Sequence, residues 1–122
     1  MRELIRDRGR LEHILDAIEK ALEFTENVEF EEFTTNALLR YGVAKCVEIV
    51  GEASYKLTKE FREQHPEIEW RDIISMRHIL VHGYYQTKDS IVWDTVKKYL
   101  PHLNEQVKKI YENGNESRDN RY

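Results

Sequence analysis

One cysteine, two prolines and five glycines in 122 residues leave the chain short of the residues that staple and punctuate small loop-rich folds. Cys46 on its own can form no intrachain disulfide and supplies no cysteine-based zinc set, so it reads as a small core residue. The scarcity of proline and glycine speaks against a β-sandwich, whose short strands call for turn residues about every ten positions. Positive charge is short as well. With 19 Lys and Arg against 23 Asp and Glu the net charge is -4. That balance excludes a protein that coats nucleic acid through bulk positive potential, because phosphate affinity comes from clustered cations. Any RNA contact must be local, and no DNA partner is expected. No stretch approaches the ~20 apolar residues of a membrane span, and Met1 to Arg10 lacks the apolar run of a signal peptide, so the expectation is a cytoplasmic protein with no membrane partner.

What the chain does have is helical periodicity. Leu11, Ile14, Leu15, Ile18, Ala21 and Leu22 recur at the spacing that puts one apolar stripe on a helix, predicted from about Asp7 to Glu26. Asn27 marks a break, and Phe30 and Phe33 mark a short linking turn or helix whose rings cap the bundle end. A longer stripe, Leu39, Val43, Cys46, Val50, Ala53, Leu57 and Phe61, predicts a second helix from about Thr35 to Glu63. Gly42 and Gly51 lie inside it at a propensity cost of roughly 1 kcal/mol each, which a close approach of a neighbouring helix would explain. His65-Pro66 ends that pattern, since proline lacks an amide donor and restricts the residue before it. A third helix starts at Trp70 and carries Ile73, Ile74, Met76, Arg77, Leu80 and Val81, with Gly83 placed to stop it in a left-handed conformation. The last stripe, Val92, Val96, Tyr99, Leu100, Leu103, Val107 and Ile110, gives a fourth helix that Pro101 should kink or split. The fold class is therefore all-α: an up-and-down antiparallel bundle of four main helices in one domain, residues 1–112, followed by a polar, disordered tail, 113–122.

The pointed chemical feature is Arg77-His78-Ile79-Leu80-Val81-His82-Gly83-Tyr84. Arg77 and His82 are five positions apart, so on a regular helix their directions differ by roughly 140°. A shared site then needs a relaxed last turn at Gly83 or a second copy of the helix across a symmetric interface, which favours a dimeric, composite site. RNA is cleaved without a metal when a base takes the proton from the 2'-hydroxyl and a cation stabilises the charge on the attacked phosphate. Histidine suits the first role and the planar, permanently charged fork of arginine the second. The same residue types at a helix end also serve merely to hydrogen-bond its last carbonyls and complement its dipole. His78 and His82 stand at the i, i+4 spacing of a metal pair, with no third ligand nearby in sequence, so no metal site and no cofactor is assigned. Glu48 and Glu52 are one turn apart and read as an ion-paired or solvated face before a catalytic carboxylate pair. Tyr84 and Tyr85 read as interfacial or core-edge aromatics, or as a hydroxyl exposed just past a helix end.

Arg77, four residues, His82, Gly83, Tyr84 resembles the Arg-x4-His-x-Tyr signature of HepT-like toxins in the HEPN superfamily. Lys45-Cys46-Val47-Glu48-Ile49-Val50-Gly51-Glu52-Ala53 is similar to the family's long second helix, and Trp70-Arg71-Asp72-Ile73-Ile74-Ser75-Met76 to the approach to its catalytic arginine. Ile91-Val92-Trp93 and Leu100-Pro101 sit where that family has its last helix, so the likeness runs from about Asp7 to Glu112. The resemblance implies a homodimer in which the motif helices face each other, with Arg77 and His82 as the catalytic residues of a metal-independent endoribonuclease toxin of a type II pair. It also implies a minimal nucleotidyltransferase antitoxin as partner, RNA as substrate, and adenylylation of Tyr84 as the neutralising modification. A nucleotide on Tyr84 would put negative charge and bulk where substrate phosphate binds. One position departs from the pattern. The family commonly has Asn after the motif arginine, and this chain has His78, a candidate for substrate binding or for orienting the catalytic groups. The competing reading is a non-catalytic module that docks a nucleotidyltransferase or RNA, and a third is a purely structural dimerising bundle. Cleavage without metal separates the first from the second, and indifference to Arg77→Ala and His82→Ala would mark the third.

Overall fold

The computed structural model of the chain describes the backbone of residues 2–79 and 88–119 and the side chains of residues 6–79 and 88–114. All regular structure among them is helical. Helix α1 spans Arg2–Phe24, α2 Phe30–Thr35, α3 Ala37–Tyr55, α4 Lys59–Gln64 and α5 Trp70–Ser75. A single 3₁₀ turn, Met76–His78, follows α5, and the last part of the chain is α6 Asp89–Asp94, a π-helical turn Thr95–Tyr99, and α7 Leu100–Asp119.

The apolar stripes read from the sequence are the core. Ile14 and Ile18 of α1, Val43 and Val50 of α3, and Leu100, Leu103 and Val107 of α7 are all buried, as are Val92 and Val96. Each such side chain contributes about 1.5–3 kcal/mol by leaving water. Cys46 lies in this core as expected, and burial pushes its thiol pKa up. Phe33 is fully buried against the Trp93 ring, at 5.2 Å between centroids, while Phe30 meets the same ring edge-on from a more exposed position. Past α1, Asn27 takes a φ of 59°, the left-handed region that asparagine tolerates better than most residues. The Lys97 ammonium donates to the Thr25 carbonyl at 2.8 Å, tying this break to the π-helical turn.

Three boundaries differ from the sequence expectation, each for a local reason. The single long helix predicted over Thr35 to Glu63 is two, because the chain turns at Lys56 and Leu57 and Thr58 starts a new helix. Its hydroxyl accepts from the Phe61 amide at 3.1 Å. The new start is held from outside by the buried Asp7 of α1, whose carboxylate accepts from the Thr58 amide at 2.8 Å and the Thr58 hydroxyl at 2.7 Å. The third helix tightens to 3₁₀ at Met76–His78. The fourth stays helical from 89 to 119 and widens to a π-helical turn just before Pro101: the Leu100 amide reaches back five residues to the Thr95 carbonyl, and Pro101, which lacks an amide hydrogen, is the second residue of α7. α7 runs to Asp119, past the point where apolar periodicity ends.

The two glycines of α3 also part company. A side chain at Gly51 would stand 2.3 Å from the Arg77 amide nitrogen and 2.9 Å from the Ile73 carbonyl oxygen, so α3 meets the backbone of α5 and the 3₁₀ turn directly. At Gly42 the nearest atoms are those of the Phe24 ring at 3.9 Å, an ordinary contact, and the close approach expected there is absent.

Candidate active site

Of the sequence-predicted site residues, Arg77 and His78 are described, whereas His82 and Tyr84 lie outside the described residues. The position of Arg77 is set by α3. Its amide nitrogen lies over Gly51, and its guanidinium stacks on the ring of Tyr55, one helical turn further along, with the guanidinium carbon 3.6 Å from the ring centroid. Gly51 and Tyr55 are i and i+4, so they share one face of α3. The glycine lets the backbone in, and the tyrosine then supports the side chain above it. Stacking on an aromatic face holds the charge by cation–π attraction and leaves the edge donors of the guanidinium available. One of those donors is engaged: Nε donates to the Nε2 of His78 at 3.3 Å. Arg77 is half-buried and His78 exposed.

The exposed side of α3 continues from this point. Tyr55, Ile49, Tyr41 and Leu38 step back along the helix by three to eight residues, within one broad face, and all are exposed, Leu38 at 85%. The polar residues among them are ion-paired. Lys45 meets Glu48 at 2.7 Å and Lys56 meets Glu52 at 3.7 Å, which agrees with the reading of these carboxylates as a paired face. Next to Arg77 on its other side, an open groove of about 550 Å³ lies between α4 and α5. A second depression, about 560 Å³, lies between α1 and α7 and is lined by carboxylates and lysines together, sharing no residue with the first.

Sequence reading missed Tyr55 and the groove. The signal was a glycine followed four residues later by an aromatic on a helix facing the motif. It is weak in a single sequence because Tyr55 falls outside the apolar stripe.

The described residues form an all-helical protein in which a small-residue position on α3 admits the backbone at Met76 and Arg77. Residues 14–110 match the HepT-like family, described as ribonuclease HepT-like, and the chain belongs to that family. It is 40% identical over 103 residues to "Putative RNase TTE0752" of Caldanaerobacter subterraneus subsp. tengcongensis, covering 84% of this chain and 92% of that one. It is 36% identical over 97 residues to "Putative RNase MJ1216" of Methanocaldococcus jannaschii, covering 80% of each. To "Probable ribonuclease HepT" of Thermococcus cleftensis it is 38% identical over 100 residues, covering 82% of this chain and 91% of the relative. No solved structure matches the chain. Among the described residues, no helix is long and apolar enough to cross a membrane.

Proposed function

We propose that the protein is a metal-independent endoribonuclease and the toxin of a type II toxin–antitoxin pair, acting as a homodimer of four-helix bundles. The observation that carries this reading is the support of Arg77: backbone seated on Gly51, guanidinium stacked on Tyr55, side chain lining an open groove, in a chain of the HepT-like ribonuclease family. In the proposed reaction His82 takes the proton from a 2'-hydroxyl, the 2'-oxygen attacks the adjacent phosphorus, and the 5'-oxygen leaves and takes up a proton. The products are a 2',3'-cyclic phosphate and a free 5'-hydroxyl. Arg77 stabilises the charge on the pentacoordinate phosphate, a role worth about 3–4 kcal/mol for one well-placed donor. His78, through its bond to Arg77, orients the guanidinium.

The dimer is supported by the exposed apolar face of α3. Leu38, Tyr41, Ile49 and Tyr55 are exposed large apolar and aromatic side chains on the face they share with the Lys45–Glu48 and Lys56–Glu52 pairs, a mixture that suits an interface core with a polar rim. Because Arg77 rests on Tyr55, a two-fold axis passing close to Tyr55 would bring two Arg77 residues to one cleft. Tyr84 is the proposed site of adenylylation by a minimal nucleotidyltransferase antitoxin, which would fill that cleft with a charged nucleotide.

The test is cleavage of single-stranded RNA in excess chelator, together with growth arrest on induced expression. Wild type should arrest growth and cleave, and Arg77→Ala and His82→Ala should do neither while keeping their helicity. Well-folded wild type without cleavage would transfer the family assignment to a non-catalytic module that docks RNA or the nucleotidyltransferase. Intact-mass measurement after incubation with a cognate transferase and ATP should show one added adenylyl group on wild type and none on Tyr84→Phe. Equal modification of the two rejects Tyr84 as the site.

A further inference from the structure

We infer that the groove between α4 and α5 is a binding track for the phosphate backbone of single-stranded RNA, carrying the strand to Arg77. The inference rests on the ribonuclease reading above and adds the residues that hold the substrate away from the scissile bond. Its walls carry four cations, Lys59, Arg62, Arg71 and Arg77, against one carboxylate, Glu63, in a chain whose net charge is -4. The other acidic residues of these two helices, Glu60 and Asp72, stay outside its lining. Phosphate affinity depends on such local clustering and not on total charge.

The single carboxylate does little to neutralise this set. Lys59 and Glu63 approach no closer than 3.9 Å, and both side chains are largely exposed, 85% and 67%, a geometry in which an ion pair contributes almost nothing. Arg62 is half-buried, and its Nε is shielded from solvent with no hydrogen-bond partner among the described residues.

The walls are also fixed. Thr58 caps α4 and is itself held by Asp7, while the Trp70 indole donates to the His65 carbonyl at 2.9 Å, fastening the start of α5 to the end of α4. Phe61 fills the space between, 4.6 Å from the His65 ring and 6.3 Å from that of Trp70. Pre-set walls reduce the ordering cost of binding. About 550 Å³ lined by eight residues is room for one phosphate backbone with its bases turned outward.

The experiment measures binding separately from cleavage. A 2'-O-methylated single-stranded RNA 12-mer lacks the attacking hydroxyl, so wild-type full-length protein can be titrated with it by fluorescence anisotropy over a range of salt concentrations. Lys59→Glu with Arg71→Glu, both on exposed side chains, should weaken binding roughly tenfold or more at low salt. The milder pair Lys59→Gln with Arg71→Gln should lower the slope of log K against log salt by about 1.4, two phosphates at about 0.7 each for a single strand. Unchanged affinity and slope in variants with wild-type melting temperatures overturns the track, and so does failure of the wild type to bind. Equal affinity for a blunt duplex of the same sequence overturns the single-strand assignment. The same proteins are then given unmodified RNA. Binding that depends on the groove without any cleavage keeps the track and rejects the nuclease, whereas cleavage with groove-independent binding does the reverse.

Discussion

Replacing Gly51 by alanine tests whether Arg77, the proposed catalytic arginine, is positioned by contact between two backbones. Two effects oppose each other. Gly51 is inside α3, where alanine is favoured over glycine by about 1 kcal/mol. Against this, the new methyl would lie 2.3 Å from the Arg77 nitrogen, 2.9 Å from the Ile73 oxygen and 2.9 Å from the Met76 carbonyl carbon. All three are main-chain atoms, so no rotamer change relieves the contact, and α5 with its 3₁₀ turn must withdraw by about 1 Å. Overpacking of this kind costs typically 1–3 kcal/mol and occasionally more. With every obstructing atom on the backbone the upper part of that range applies, leaving a net loss of about 2 kcal/mol. For a chain of this size that is a fall of roughly 8 °C in melting temperature. The withdrawal also lifts Arg77 from Tyr55, and a displacement of about 1 Å in a catalytic group costs as much as a hundredfold in rate. Gly42→Ala supplies the comparison within the same helix: its methyl meets only the Phe24 ring at 3.9 Å, so the propensity gain should survive and raise the melting temperature by a few degrees. Thermal unfolding by circular dichroism and initial rates of RNA cleavage are the assays. A Gly51→Ala protein that melts at or above the wild-type temperature and cleaves at the wild-type rate would refute the reasoning.

Asp7→Ala leaves the Thr58 amide and hydroxyl without their acceptor in a buried setting, so it should destabilise by about 1–3 kcal/mol, read from denaturant unfolding, and should loosen α4 as seen by faster amide exchange there. Tyr55→Phe keeps the ring under Arg77 and should retain nearly full activity. Tyr55→Ala removes a contact of about 0.5–2 kcal/mol and should lower kcat/KM by roughly two- to thirtyfold with little change in stability, and equal activity of the two would dissociate the stacking from catalysis. Burial raises the Cys46 thiol above its ordinary 9.0 and the Tyr99 hydroxyl above its ordinary 10.0. In each case the unfolded chain loses its proton first, so stability is full below those values and declines as pH rises from about 9 toward the raised folded-state values. Cys46→Ala should lower stability at neutral pH yet flatten the first part of that alkaline decline, which urea titrations at pH 8, 9 and 10 would record.

Periodicity located the helices because burial acts through one face at a time: the stripes Leu11 to Ala21 and Val96 to Val107 read from the sequence are the ones that pack. It failed at Lys56 and Leu57, since Leu57 and Phe61 continue the apolar spacing across a break where Thr58 caps α4 and Asp7, some 50 residues earlier, holds that cap in place. A capping residue fixed by a distant carboxylate leaves no trace in local pattern. It also undercounted α3. Ala44, Val47, Gly51 and Ser54 are buried beside the stripe that spacing identified, because α3 has neighbours on two sides, α1 and α5 with its turn. Arg77 was legible as chemistry, by residue type and spacing. Its support was not, because the relation of Gly51 to Tyr55 acquires meaning only when another backbone lies across them.

α3 joins the structural and the chemical arguments. A helix with partners on two sides has a third face to dispose of, and here that face carries Leu38, Tyr41 and Ile49 in solvent and ends at Tyr55, on the border with the Gly51 contact. Arg77 therefore sits at the junction of three surfaces: the intramolecular seat of α5 on α3, the exposed apolar stripe, and the cationic groove. An arginine placed there has its position set by the fold, and both a second protomer on the stripe and an RNA strand in the groove would reach it. Such a placement also resolves the tension raised by the composition. A protein with a net charge of -4 need not attract polyanions over its whole surface if the few cations that matter are gathered beside one supported guanidinium.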